Sequence, residues 1–329
     1  MKMAHPIHEA NENSPYGNLT KEQFYQKHKI SHKESFMINK QNMKIFTQSW
    51  QPADSNSRLK GLIGMIHGYT SESGWLAELN AVAMAKSGFF VCALDLQGHG
   101  FSEGSPDHVP DVHPLVQDCL QYFDSARAQH PKLPHFLYGE SLGGAISILM
   151  CLQQKTAWKG LVLSGAMCEI STKFKPVWPL EKFLPAVALI VPNWRISITR
   201  PPISQSCKEK WKRELAERSP NRRTSGKPTA ATALQLLKVC EHVKRYCHEL
   251  EVPMLIMHGG DDTVCDPEGA KYLYETASSK DKTLEIFSGM WHLFIGEPNE
   301  SVEKIFNIML SWIEVRADLT KHNVQYVSP

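Results

Sequence analysis

None of the eight cysteines of this 329-residue chain (92, 119, 151, 168, 207, 240, 247 and 265) forms a CxxC pair, and several sit inside apolar runs. That excludes a disulfide framework or a zinc site and fits the reduced, buried thiols of an intracellular protein. No run of about 18 apolar residues occurs, so no membrane span is expected. The opening MKMAHPIHEANENSPYG has no apolar h-region, so no signal peptide is visible. The cytosol is the expected location, with peripheral membrane contact left open. An excess of one charge is also missing: 36 Lys+Arg meet 34 Asp+Glu, a net charge of +2. The whole molecule is therefore not a polyanion binder. There is no internal repeat and no low-complexity tract. What is present is length and 42% hydrophobic content, enough to bury a sizeable core as one α/β domain with an insertion, or as two domains.

SFMIN and MKIFTQSW, separated by residues 40–42, read as an opening hairpin. GLIGMI (61–66), GFFVCALD (88–95), HFLY (135–138), GLVLSG (160–165), MLIMHG (254–259) and TLEIFSG (283–289) read as buried strands. Helices are expected at Ala77–Lys86, over 114–129, at Leu142–Gln153 and near the C-terminus, where Val302, Ile305, Phe306, Met309 and Ile313 make one face. Strands alternating with helices predict a mostly parallel sheet covered on both faces. The rhythm breaks over 166–235, which reads as a helical lid inserted over one end of the sheet. The expected organisation is a polar tail over 1–30 holding one short helix, a core over 31–165 and 236–320, the lid over 166–235, and a C-terminal tail over 321–329.

Gly139-Glu140-Ser141-Leu142-Gly143 lies between an expected strand and an expected helix. A nucleophilic serine needs a turn so tight that side chains at its −2 and +2 neighbours would clash, and this is the strand–turn–helix context of the α/β-hydrolase fold. The strand GLIGMI runs into His67-Gly68-Tyr69-Thr70. There the backbone N–H of Tyr69, with that of Leu142, is expected to form an oxyanion hole. His67 is read as structural. Chain order in this fold is nucleophile, acid, base. HGGDDTVCDP supplies Asp261, Asp262 and Asp266 as acids, with Asp266 before Pro267 also suited to cap a helix. His292, after Gly289, is the base candidate. The H-x4-D of His113 and Asp118 is set aside because it opens an amphipathic helix.

The chain resembles the plant monoacylglycerol lipase and lysophospholipase-like group, which includes caffeoylshikimate esterases. The resemblance spans about residues 33–316. It rests on HGY (67–69), DLQGHGFSEG (95–104), GESLGG (139–144), WPLEKFLP (178–185), WKRELA (211–216), HGGDDTVCDP (258–267), ASSKDKTL (277–284) and GMWH (289–292). It implies Asp262 as the acid and His292 as the base, with no cofactor and no metal. The chain departs from the group at Thr70, where HGYG is usual, and at Gly226-Lys227-Pro228-Thr229-Ala230-Ala231-Thr232, where GKPR-x-GT is usual.

Residues 173–227 hold thirteen Lys/Arg against four Glu, a balance of +9, which leaves −7 for the rest. Trp178, Trp194, Trp211, Phe174 and the apolar run Phe183–Val191 lie in the same stretch. Two readings fit: an anionic membrane surface, or an apolar run packed on the site beneath a solvated charged face. No nucleic-acid motif accompanies the charge. The expected function is a serine hydrolase of a monoacylglycerol-like, lysophospholipid-like or hydroxycinnamoyl ester. An acyltransferase using the same acyl-enzyme is the alternative, and a non-enzymatic ligand-binding protein is a third reading.

Overall fold

The short apolar runs become strands that carry side chains into both faces of one sheet. The computed structural model describes residues 4–173, 180–196, 202–224 and 226–325. The strands are β1 (Ile30–Ile38), β2 (Lys44–Pro52), β3 (Leu62–Ile66), β4 (Phe90–Leu94), β5 (His135–Glu140), β6 (Gly160–Ser164), β7 (Met254–Gly259) and β8 (Lys282–Phe287). The helices are α1 (Lys21–His28), α2 (Trp75–Lys86), α3 (His113–Gln129), α4 (Leu142–Gln153), α5 (Leu180–Ile190), α6 (Pro202–Ser206), α7 (Lys210–Glu217), α8 (Ala230–Tyr246), α9 (Pro267–Thr276) and α10 (Asn299–Gln325). The sheet order is β1-β2-β4-β3-β5-β6-β7-β8. β1–β2 and β2–β4 pair antiparallel, and all other neighbours are parallel. The sheet is mostly parallel and covered by helices on both faces, as the strand–helix alternation predicts.

Alternation along each strand fills two cores. On one face Leu137, Phe123 of α3 and Met150 of α4 are fully buried together. On the other, Phe136 of β5 packs with Trp50, Val82 of α2 and Ile313 of α10. The chain leaves β3 toward β4 and returns to β5 on the opposite side. The carboxyl ends of β3 and β5 therefore flank the crevice where open α/β sheets bind ligands.

Two segments differ from their reading in the sequence. Residues 4–29 do not hang free: Ile7 and Phe24 are fully buried, and the Tyr25 hydroxyl donates to the buried Glu78 carboxylate at 3.2 Å. Their apolar residues are too few and too unevenly spaced to stand out against polar neighbours, but each is large. α1 carries a complete capping box between Thr20 and Gln23. The second segment is α8, which starts inside the expected lid. Thr229 caps it by accepting from the Thr232 N–H at 3.2 Å, and Leu236, Cys240 and Val243 bury one helical face.

The lid divides its apolar run. Leu184 is fully buried with Ile196, Ala230 and Ala233, whereas Phe183, Leu189, Ile190, Val191 and Trp194 are exposed. Phe174 and Trp178 lie outside the described residues. The basic excess is turned inward more than expected: Arg223 donates to the Ser102 and Gly104 carbonyls, Arg195 pairs with the buried Asp107 at 2.8 Å, and Arg218 donates to the Glu12 carbonyl. Three of the basic side chains of this stretch are thus bonded to the body, one of them to a charge.

Candidate active site

β5 passes into α4 through a single residue, Ser141, whose φ is 53° and ψ −118°. A non-glycine residue at positive φ costs of order 1–3 kcal/mol and persists only where its surroundings hold it. Those surroundings explain both glycines of the motif. A Cβ on Gly139 would stand 2.4 Å from Ser147 Oγ, and one on Gly143 would stand 2.2 Å from the Ile66 carbonyl oxygen. The Ser141 main chain is tied on both sides, its N–H donating to Ser164 O at 3.1 Å and its carbonyl accepting from Met167 N at 2.9 Å. The side chain is buried and lines a cavity with His292, Gly68 and Tyr69.

The register Ile66↔Gly139 sets the loop after β3 beside this turn. A Cβ on Gly68 would lie 3.0 Å from Ser141 Cβ, so the loop and the serine touch. Leu142 opens α4, and its N–H is among the four that a helix leaves without an intrahelical acceptor. Tyr69 anchors its loop by donating its hydroxyl to Asp107 O at 2.7 Å. Thr70, where relatives of the resembled group carry glycine, adopts φ 60°. A β-branched side chain in that region is strained.

His67 is occupied on both ring nitrogens: Nε2 accepts from Leu96 N at 3.0 Å and Nδ1 donates to Gly68 O at 2.8 Å. Burial pulls its pKa down to about 4, so it is a neutral brace. The DLQGHG stretch is a second brace. Asp95 accepts from the Ser73 N–H and hydroxyl at 2.7 and 2.6 Å and from Phe101 N at 2.9 Å. His113 is exposed at the start of α3, while Asp118 is buried and accepts from Asn39 and Gln97.

Of the three carboxylates after β7, Asp261 is exposed and Asp266 caps α9 by accepting from Glu268 N. Asp262 is buried and its Oδ2 lies 2.7 Å from His292 Nδ1. Its Oδ1 accepts from Val264 N and Cys265 N at 2.8 and 3.0 Å. Sequence reading missed a further partner: His258 Nε2 stands 3.1 Å from Asp262 Oδ2 and 3.3 Å from Cys265 O, which fixes its proton on Nε2. Its i,i−4 spacing from Asp262 was the available signal. Burial pushes the Asp262 carboxyl up, but His292 and His258 outweigh it and hold the group well below the usual carboxylate range. For His292, burial lowers the pKa, while Asp262 and, more weakly, Glu140 outweigh that and leave it above the ordinary value.

The cavity walls are largely apolar, with Leu76, Met167, Ile170, Leu236, Val264 and Leu293. One polar group of Glu72, Ser219 and Arg222 also lines it, and burial raises the Glu72 carboxyl to about 7. Among the described residues, no three His, Cys, Asp or Glu gather into a metal site.

The chain is similar to known proteins in sequence and in fold. The model of the family described as serine aminopeptidase S33 (Hydrolase_4) matches residues 57–299. The caffeoylshikimate esterase of Arabidopsis thaliana is 33% identical over 91% of this chain and 90% of its own length. Human monoglyceride lipase is 33% identical over 85% of this chain and 90% of its own. In three dimensions, a soluble variant of monoglyceride lipase from Saccharomyces cerevisiae, in complex with a substrate analogue, matches with a TM-score of 0.76 at 20% identity. That match covers 86% of this chain and 94% of the other and speaks for the fold. The chain belongs to the serine aminopeptidase S33 family of α/β-hydrolases, and within it to the serine hydrolases of carboxylic esters.

Proposed function

We propose that the protein hydrolyses the ester of an apolar acyl chain and a small hydroxylated alcohol, a monoacylglycerol-like substrate, through an acyl-enzyme on Ser141. Ser141 Oγ attacks the ester carbonyl while His292 Nε2 takes its proton. Asp262 keeps the proton of His292 on Nδ1 and stabilises the imidazolium. The N–H groups of Tyr69 and Leu142 receive the developing oxyanion. Each such donor contributes about 3–4 kcal/mol to the transition state. The carbonyl reforms, and the alcohol leaves with the proton from His292. Water then attacks the acyl-enzyme, losing its proton to His292, and frees the acid and Ser141.

The observation that carries this reading is the buried His292–Asp262 pair, 2.7 Å apart, opening on the same apolar cavity as Ser141. The apolar walls support an acyl chain, and Glu72, Ser219 and Arg222 support hydroxyl groups on the alcohol. The test is kcat/KM for a long-chain monoacylglycerol, a lysophosphatidylcholine and a caffeoyl ester, with free acid and transferred acyl product both measured. The monoacylglycerol is expected to give the highest value and free acid as the main product. A preference for the caffeoyl ester would overturn the substrate, and a dominant transfer product would make the protein an acyltransferase.

The exposed Phe183, Leu189 and Trp194 support contact of the lid with a lipid–water interface, while the inward basic residues argue against an electrostatic attachment. Among the described residues no helix is long and apolar enough to cross a membrane. Binding to phosphatidylcholine vesicles is expected to be insensitive to salt and to be lost in a Phe183→Ser/Leu189→Ser/Trp194→Ser variant. Binding that needs anionic lipid and disappears in salt would contradict this.

A further inference from the structure

Residues 206–222 of the insertion bond to two loops that the sheet itself holds apart. At one end, Ser206 O accepts from Leu293 N at 2.9 Å, Lys208 Nζ donates to Gly289 O at 2.6 Å, and Glu209 N donates to Gly296 O at 2.9 Å. Cys207 packs so closely that a Cβ on Gly296 would stand 2.5 Å from its Sγ. All of these fall on residues 289–297, the loop that carries His292. At the other end, Trp75 Nε1 donates to Leu215 O at 2.8 Å, Ser219 donates its hydroxyl to Glu72, and Arg222 Nε donates to Thr70 O at 3.3 Å. Glu72 and Thr70 lie on the loop that carries Tyr69, and Trp75 opens α2 directly after it. The two loops follow β8 and β3, which have β5, β6 and β7 between them in the sheet.

Lys212, on α7, is the odd member. It is fully buried, and desolvation pulls its ammonium down to about 8. It donates to a main-chain acceptor, Glu297 O. Glu297 is itself buried, and its Oε1 accepts from Trp291 N at 2.6 Å, the residue before His292. A methionine would fill the same space without the cost of desolvating a charge. The bond to Glu297 is what the lysine adds.

We infer that Lys212 is a positioning residue for His292, acting through Glu297 and Trp291 to hold the imidazole against Asp262, and that residues 206–222 fasten this loop and the Tyr69 loop as one strap. The inference rests on the reading of His292 as the base. It makes the 206–222 part of the insertion a fixed element of the site, distinct from α5, whose outer face is exposed.

The test uses the full chain with Lys212→Met and, separately, Lys208→Ala. The second variant removes a half-exposed contact to the same loop and leaves the core untouched. Active sites are counted with a fluorophosphonate, and kcat, KM and the pH profile are measured. The titratable groups around His292 are Asp262, with His258 behind it, and Glu140. A loosened His292–Asp262 bond lowers the pKa of His292, so the acid limb moves to lower pH. Expected in both variants are a full count of reactive Ser141, KM within about twofold, the shifted limb, and a kcat lowered by about 10- to 100-fold, the scale of a misplaced catalytic group. A purely structural role would lower the count and the melting temperature but leave the limb in place. If kcat and the limb are unchanged while His292→Ala is inactive, the positioning inference fails alone. If His292→Ala turns over, the reading of the base fails instead.

Discussion

Ser141→Ala is expected to lower kcat by about 10⁶-fold, the scale seen when a nucleophile is removed from a triad that acts as a unit. A residual rate above that in water, about 10³-fold, should survive because the Tyr69 and Leu142 N–H groups and the cavity remain. The melting temperature should hardly change. Alanine at this position keeps the φ of 53° and the two main-chain bonds to Ser164 and Met167. The expected pattern is therefore an inactive, fully folded protein, read by turnover of a monoacylglycerol beside a thermal melt. Substantial turnover in the folded variant would mean that another group is acylated or that water attacks directly.

Asp262→Asn is expected to cost about 10⁴-fold in kcat for a geometric reason. Oδ1 accepts two main-chain N–H groups and Oδ2 faces His292 Nδ1, so both oxygens must be acceptors. An asparagine must turn its NH₂ to one side. Facing Val264 and Cys265, it sets donor against donor. Facing His292, it draws the imidazole into the tautomer with its proton on Nε2, which cannot take the proton of Ser141. The pH dependence carries the sign of the same pair. His292 must be neutral to act as base, and its pKa lies above the ordinary value because Asp262 is charged beside it. Activity of the native protein should fall as pH drops through that raised value. In Asp262→Asn the acid limb should move down, and a limb that stays in place would show that another group sets it.

Much of this was legible in the sequence where local rules act alone. The buried strands declare themselves as short apolar runs. The turn at Ser141 is legible because only glycine fits at 139 and 143, where a Cβ would strike the Ile66 carbonyl or the Ser147 hydroxyl. The choice among Asp261, Asp262 and Asp266 was not a matter of local pattern. It depends on how the loops after β7 and β8 meet, and only resemblance pointed to Asp262. Within the basic stretch read as a solvated charged face, Cys207–Arg218 departs from that reading for a physical reason. Its alternation of Lys, Arg and Glu reads as a solvated helix, yet Lys212 is buried and Lys208 and Arg218 bond to main-chain carbonyls of the body. A carbonyl acceptor has no sequence signature, so a basic residue destined for one looks like any surface charge. The buried aromatic residues of the N-terminal segment were hidden for a similar reason. Phe24 and Tyr25 are neighbours set among polar residues, so no period shows them.

The most direct test of the account is to trap the covalent intermediate. Rapid quenching of the protein with a slowly turned-over monoacyl ester, followed by mass spectrometry of its peptides, should find the acyl mass on the peptide containing Ser141 and nowhere else. The label should be absent in Ser141→Ala and should fail to accumulate in His292→Ala. Steady turnover with an unlabelled Ser141, or an acyl mass on a different residue, would contradict the mechanism.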